Sequence, residues 1–153
     1  ETILKVPARP LPGTYVAQDI PDTEFIEQAT NFVNLIATYQ PQVAKRQFEE
    51  AQKLLWEPAL AQFKQDMLGT ELRAISSTSR TQIFYIDPTK TAIERNGQEV
   101  IVTFNGDRSK IIAGKELPSV LSIYSITMRV IPRNPTNPFG IVITDMKSIN
   151  DKV

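Results

Sequence analysis

Asp107 and Asp145, two carboxylates on or beside stretches of strand character, are this chain's candidates for proton-transfer chemistry. A carboxylate that abstracts a proton near neutral pH needs its pKa raised inside a pocket. We weigh that against a plainer assignment, in which Asp145 is a solvated strand residue near Lys147 and Asp107 belongs to a bulge, and adopt the plainer one. Histidine and cysteine are both absent. Their absence removes Ser-His-Asp and Cys-His catalysis, the familiar zinc sites, thiol chemistry and disulfides. Ala113-Gly114-Lys115 lacks the upstream glycine and the following Ser or Thr of a phosphate loop. No catalytic residue, cofactor-binding residue or metal ligand is therefore assigned, and what remains is recognition.

Charge narrows the kind of recognition. The chain has 17 Lys and Arg against 17 Asp and Glu, a net charge of zero and a pI near 6.6. A protein that binds nucleic-acid phosphate wants a basic footprint. The local basic groups, Lys45-Arg46, Arg95 and Arg108/Lys110, are interleaved with Glu49, Glu50, Glu99 and Asp107, the pattern of a solvated face. No direct nucleic-acid partner is expected. No uninterrupted apolar run is long enough to span a bilayer. The length, 153 residues, suits one domain with one core. The chain starts at Glu1 rather than Met, from which we expect a removed upstream segment.

The elements that would position a recognition site centre on residues 118–149, which read as strand, proline-rich turn, strand. Val120, Tyr124, Ile126, Met128 and Val130 share one face by the period-two alternation of a strand. Pro132, Pro135 and Pro138 cannot donate to a sheet ladder, so the chain must leave the sheet and re-enter at Ile141. Gly140 suits a backbone angle that other residues resist.

Upstream, residues 1–21 hold four prolines and a glycine and read as an extended arm. A helix starts at Asp22, its expected N-cap, with Phe25/Ile26, Ala29, Phe32/Val33 and Ile36 as one apolar stripe. Pro41 closes it and is expected to open a second helix at its first position, with Val43/Ala44, Phe48, Ala51 and Leu54/Leu55 inward. Pro58 repeats the device after a break at Trp56-Glu57, and Leu60, Phe63, Met67, Leu72 and Ile75 mark a third helix that Gly69 weakens. Strands follow at 81–86 and 91–95, with Asn96-Gly97 as a hairpin signal. We expect the next strand to run from 98 to 112 through a bulge at Asn105-Gly106, turning at 113–116 into an equal arm, 117–131. The last strand is 140–149. Helices followed by antiparallel strands make an α+β domain over 22–150, three helices packed on a curved sheet. Leu35 and Tyr39 lie off the main helical stripe, so that flank or the edge strand 140–149 is a candidate self-association surface.

Three features together resemble TraE-type proteins of conjugation systems. They are Thr2-Ile3-Leu4-Lys5-Val6-Pro7 with Asp22 to Tyr39 and the Pro41 helix; Ile83-Phe84-Tyr85 with Asn105-Gly106-Asp107, Gly114-Lys115 and the Tyr124 strand; and Asn137-Pro138-Phe139-Gly140. The last is similar to the Asn-Pro-x-Gly turn of type IV secretion inner-membrane assembly components, although Ile141 stands where that pattern commonly has an aromatic. The resemblance implies a roll of the nuclear transport factor 2-like class in the periplasm, held to the bacterial inner membrane by a helix upstream of Glu1. It implies a non-catalytic assembly subunit of a DNA-transfer machine that works through contacts with other subunits and with copies of itself. It also implies partner contacts by Asn137, Pro138 and Gly140, with Phe139 as an apolar anchor in the variable position. A small-ligand-binding or enzymatic domain of the same roll is the alternative.

Overall fold

The computed structural model describes residues 20–132 and 140–150. The α-helical layer precedes the strands: α1 (Asp22–Ala37), α2 (Ala44–Gln52), α3 (Ala59–Phe63), a π-helical segment (Lys64–Glu71) and α4 (Leu72–Thr78), with a short 3-10 turn, Pro88–Lys90, between the first two strands. The apolar stripe of α1 is buried at Phe25, Ala29, Phe32, Val33 and Ile36, as its spacing predicts. Asp22 is not the N-cap. Pro21 holds that position, and the Glu24 N–H donates to the Pro21 carbonyl. The Asp22 carboxylate is taken by Arg95 of the sheet, whose Nε and Nη2 donate to Oδ1 at 2.9 and 2.7 Å. Arg95 Nη2 also reaches the carbonyl of Ile20 at 2.6 Å, and its guanidinium lies 5.1 Å from the Phe25 ring centre. Of the expected arm, Ile20 and Pro21 fall within the described residues, and Ile20 is buried.

Pro41 does not open α2. It lies in a turn with Gln42 and Val43, where the Val43 and Ala44 N–H groups donate to the Gln40 carbonyl, and α2 begins at Ala44. The third helical run is continuous from α3 to α4 but adopts i→i+5 geometry in its middle. The intervals between Phe63, Met67, Leu72 and Ile75 are four, five and three residues. A regular α-helix repeats every 3.6 residues, so the five-residue step would leave the core face, and the π turn brings it back. Ser79 ends the run in the left-handed region, φ 49°.

Six strands form one antiparallel sheet: β1 (Arg80–Ile86), β2 (Ala92–Asn96), β3 (Glu99–Ile112), β4 (Lys115–Glu116), β5 (Val120–Val130) and β6 (Ile141–Asn150), in the order β1-β3-β5-β6, with β2 and β4 also paired to β3. The β2–β3 hairpin has Gly97 and Gln98 at its tip, with a positive φ at Gly97 alone. That is the pattern with glycine first, one residue along from the expected Asn-Gly centre. β3 does run through Asn105-Gly106, but without a bulge: its register is unbroken on both β1 and β5. The glycine there serves a close approach, since a Cβ on Gly106 would stand 2.0 Å from the Tyr85 carbonyl oxygen. The bulge is on β6 instead, where Thr127 pairs with Asp145 and Met128 with Ile143, leaving Thr144 over.

The core lies between the helices and one sheet face, with Phe25, Phe32, Phe48 and Phe104 almost fully enclosed and Val100, Val102, Ile126 and Met128 beneath them. Both free sheet edges receive a piece of the helical layer. The Tyr39 and Gln82 backbones exchange 2.9 Å hydrogen bonds on the edge of β1. On β6, the Trp56 N–H donates to the Ile143 carbonyl at 2.8 Å, and the Ile143 N–H to the Leu54 carbonyl at 2.9 Å. In each case the residues just past a helix end satisfy edge groups that would otherwise invite pairing. Tyr39 is therefore buried, edge-on to Phe48, and Leu35 is partly buried against the core. The flank expected to associate through these two residues is covered from within, by α2, whose Gln47 Nε2 donates to the Leu35 and Thr38 carbonyls.

Candidate partner-binding surface

The corner between β5 and β6 is pinned at its base. Val130 pairs with Ile141, and the Ile131 N–H donates to the Gly140 carbonyl at 2.6 Å. Gly140 is buried at φ +70°, a conformation that disfavours any L side chain. Asn137, Pro138 and Phe139 lie outside the described residues. Gly140 is the one member of the expected set within them, and it serves as the closing residue of the corner.

Beside that base lies an open groove of about 400 Å³, lined by Trp56, Glu57, Arg129, Val130, Ile131, Pro132 and Thr144. Trp56, the only tryptophan, is 47% exposed. Its backbone is not free to wander, because it is bonded to Ile143 and its carbonyl accepts from the Leu60 N–H at 3.1 Å. The indole is thus a large apolar surface on a fixed strap, with Glu57 and Arg129 among the polar groups along the groove. Glu57 also accepts from the Ala61 N–H at 3.2 Å. Sequence reasoning passed over Trp56 as part of a helix break. The available signal was a lone tryptophan directly before Glu57-Pro58, where no helical stripe could claim it.

A second groove, about 310 Å³, opens between the α3–π run and β6; it includes Phe32, Phe63, Met67, Asp145 and Met146. Asp145 sits at it exposed, with Oδ1 accepting from the Met146 N–H. Asp107 is exposed on β3, on the sheet face away from the helices. The structure brings neither carboxylate into a buried pocket, nor near the other. Burial acts on phenols instead: it pushes Tyr39 up to about 12, and it also raises Tyr124, against the opposing pull of Arg108. Among the described residues, no group of His, Cys, Asp and Glu could hold a metal ion, and no helix is long and apolar enough to cross a membrane.

The model of the TraE protein family matches residues 1–132. The chain belongs to the TraE family. This TraE-family chain also shares its fold with solved proteins of low identity. The Agrobacterium tumefaciens VirB8 protein superposes with a TM-score of 0.67 at 14% identity, covering 92% of this chain and 99% of that one. A TrwG component of the type IV secretion system from Bartonella birtlesii gives 0.68 at 13%, covering 87% and 94%. An IcmL-like type IV secretion system protein from Legionella pneumophila gives 0.70 at 9%, covering 88% and 96%. No curated relative matches in sequence. The helices-then-sheet architecture is that of VirB8-like domains, as the α+β expectation had it. The family match ends before Asn137–Gly140.

Proposed function

We propose that this TraE-family chain is the periplasmic part of a non-catalytic assembly subunit of a type IV secretion machine for conjugative DNA transfer. It is held at the inner membrane by a helix upstream of residue 1 and acts by contacts with other subunits and with copies of itself. The observation that carries the reading is Trp56, an indole left half-exposed on a strap bonded to β6, beside the closed base of the Asn137–Gly140 corner. Partly exposed aromatics on a rigid support, flanked by polar groups, are what protein–protein interfaces use as anchors. Corner and indole form one contact surface in this reading, with Phe139 a second apolar anchor and residues 22–150 a single domain.

The test is made in the full-length protein. Gly140→Ala would confound it, because the φ of +70° there strains any side chain. Trp56→Ala and Asn137→Ala avoid that. We expect each to lower conjugative transfer by roughly tenfold or more, the size of a lost interface anchor of about 1.4 kcal/mol or above, at normal expression and unchanged melting temperature. Undiminished transfer by the normally expressed double variant would overturn the reading.

A further inference from the structure

The helix-facing side of the sheet carries a charge imbalance at the end where β1 begins. Side chains alternate along a strand, so Arg80 lies on the same face as the buried Gln82 and Phe84. Opposite them on β3, Lys110 pairs with Gln82 and Arg108 with Phe84. Directly opposed and diagonal neighbours across an antiparallel pair stand roughly 5–8 Å apart. Lys110 is thus the diagonal neighbour of Arg80 and lies two residues from Arg108 on the same face of β3, so it stands between the two arginines on the helix-facing side of the sheet. One carboxylate answers them there: Glu71, at the end of the π segment, bonded to Nη2 of Arg80. Glu116 pairs with Ile111, whose side chain is on the other face, and Asp107 is on that other face as well. Lys115, opposite Ile112, adds a further positive charge at the rim.

The guanidinium groups are also incompletely bonded. Nε of Arg80 and Nε of Arg108 are both shielded from solvent, and neither has a hydrogen-bond partner among the described residues. A buried donor on a cation without an acceptor is costly, and three like charges with one counter-charge add repulsion. Buried polar neighbours complete the setting. Gln82 is fixed by donating to the Ala37 carbonyl at 2.7 Å, Ser122 is buried beside Gly106 in the register, and the Tyr124 hydroxyl lies near Arg108. Lys110 titrates below an ordinary lysine, through burial and then through Arg108 and Arg80, which agrees with the crowding of positive charge.

We infer that this cluster is a binding site for an oxyanion: a carboxylate or phosphate whose oxygens accept from the two Nε–H groups, with the Lys110 ammonium as the third contact. The planar Nε/Nη edge of arginine matches either oxyanion in a two-point bond. The net excess of positive charge favours a dianion, such as a small dicarboxylate or phosphate. The inference is independent of the Trp56 surface, which belongs to the β5–β6 corner.

The experiment titrates the 15N-labelled chain with succinate, with inorganic phosphate and with potassium chloride at matched ionic strength, and follows the arginine Nε–H resonances. Saturable shifts of Arg80 and Arg108 with succinate or phosphate, absent with chloride, are expected, and the tighter of the two anions identifies the ligand class. Arg108→Gln and, separately, the milder Lys110→Gln should each weaken binding by about tenfold, as loss of a charge-assisted bond implies. Shifts that chloride reproduces, shifts that do not saturate, or binding unchanged in a folded Lys110→Gln variant would overturn the site.

Discussion

Gly106→Ala tests whether the long strand β3 is held as described. The added Cβ would lie 2.0 Å from the Tyr85 carbonyl oxygen and 2.8 Å from its carbon, where ordinary contact begins near 3.4 Å. Both atoms are backbone, so no side chain can swing aside. The end of β1 must instead move away by about 1.4 Å, the difference between contact and clash. That displaces the Ile86–Gly106 pairing and the hydrogen bond, 2.7 Å long, from the Asp87 N–H to the Asn105 carbonyl. Overpacking of this kind costs about 1–3 kcal/mol, and a lost backbone bond about 1 more. The total, roughly 2–4 kcal/mol, corresponds to a fall in melting temperature of about 5–15 °C for a chain of this size. Differential scanning calorimetry of both proteins measures it. Gly69→Ala is the paired control, because the nearest atom to its Cβ, the Lys64 carbonyl oxygen, lies at 3.6 Å. There helix propensity alone should act, stabilising by about 0.5–1 kcal/mol. A Gly106→Ala protein that melts within about 1 °C of the parent would refute the close approach and the unbroken β3 register with it.

Arg95→Ala should cost about 1–2 kcal/mol, since it removes the bonds to Asp22 and the Ile20 carbonyl and the contact with Phe25; urea melts will show it, and the loss should shrink in high salt. Stability should fall as pH rises from about 10 toward 12, because the unfolded chain ionises its tyrosines first while Tyr39, raised to about 12, keeps its proton in the fold. Denaturant melts at about pH 9 and about pH 11.5 check the sign, and Tyr124, raised in the same direction, adds to it. Trp56, as the only tryptophan, reports on its own surface: acrylamide should quench the free protein readily, and a bound partner subunit should protect it.

The helix stripe of α1, the turns at Gly97 and Gly114 and the length of β3 were legible in the residues, because each is a local matter. Periodicity shows which side of a segment is apolar, and glycine marks where the backbone must bend or take a positive φ. The roles of Asp22, Tyr39 and Trp56 were not legible. Asp22 looks like a cap until Arg95, far along the chain, claims its carboxylate. Tyr39 looks exposed on a helical wheel until it is paired with Gln82 on a sheet edge. Trp56 looks like punctuation until Ile143 fixes it beside the corner. The cationic cluster was half legible: Arg108 and Lys110 read as a solvated pair, and the β1–β3 register put Arg80 diagonal to Lys110 while Asp107 and Glu116 faced the other way.

Composition by itself determined the class of chemistry. A chain patterned as helices then strands was committed to an α+β domain, and one without histidine or cysteine has no disulfide, thiol or imidazole chemistry. Which side chains are brought together was decided by tertiary structure alone, because edge pairing, strand register and ion pairs depend on residues dozens of positions apart, and no local pattern encodes which of them meet.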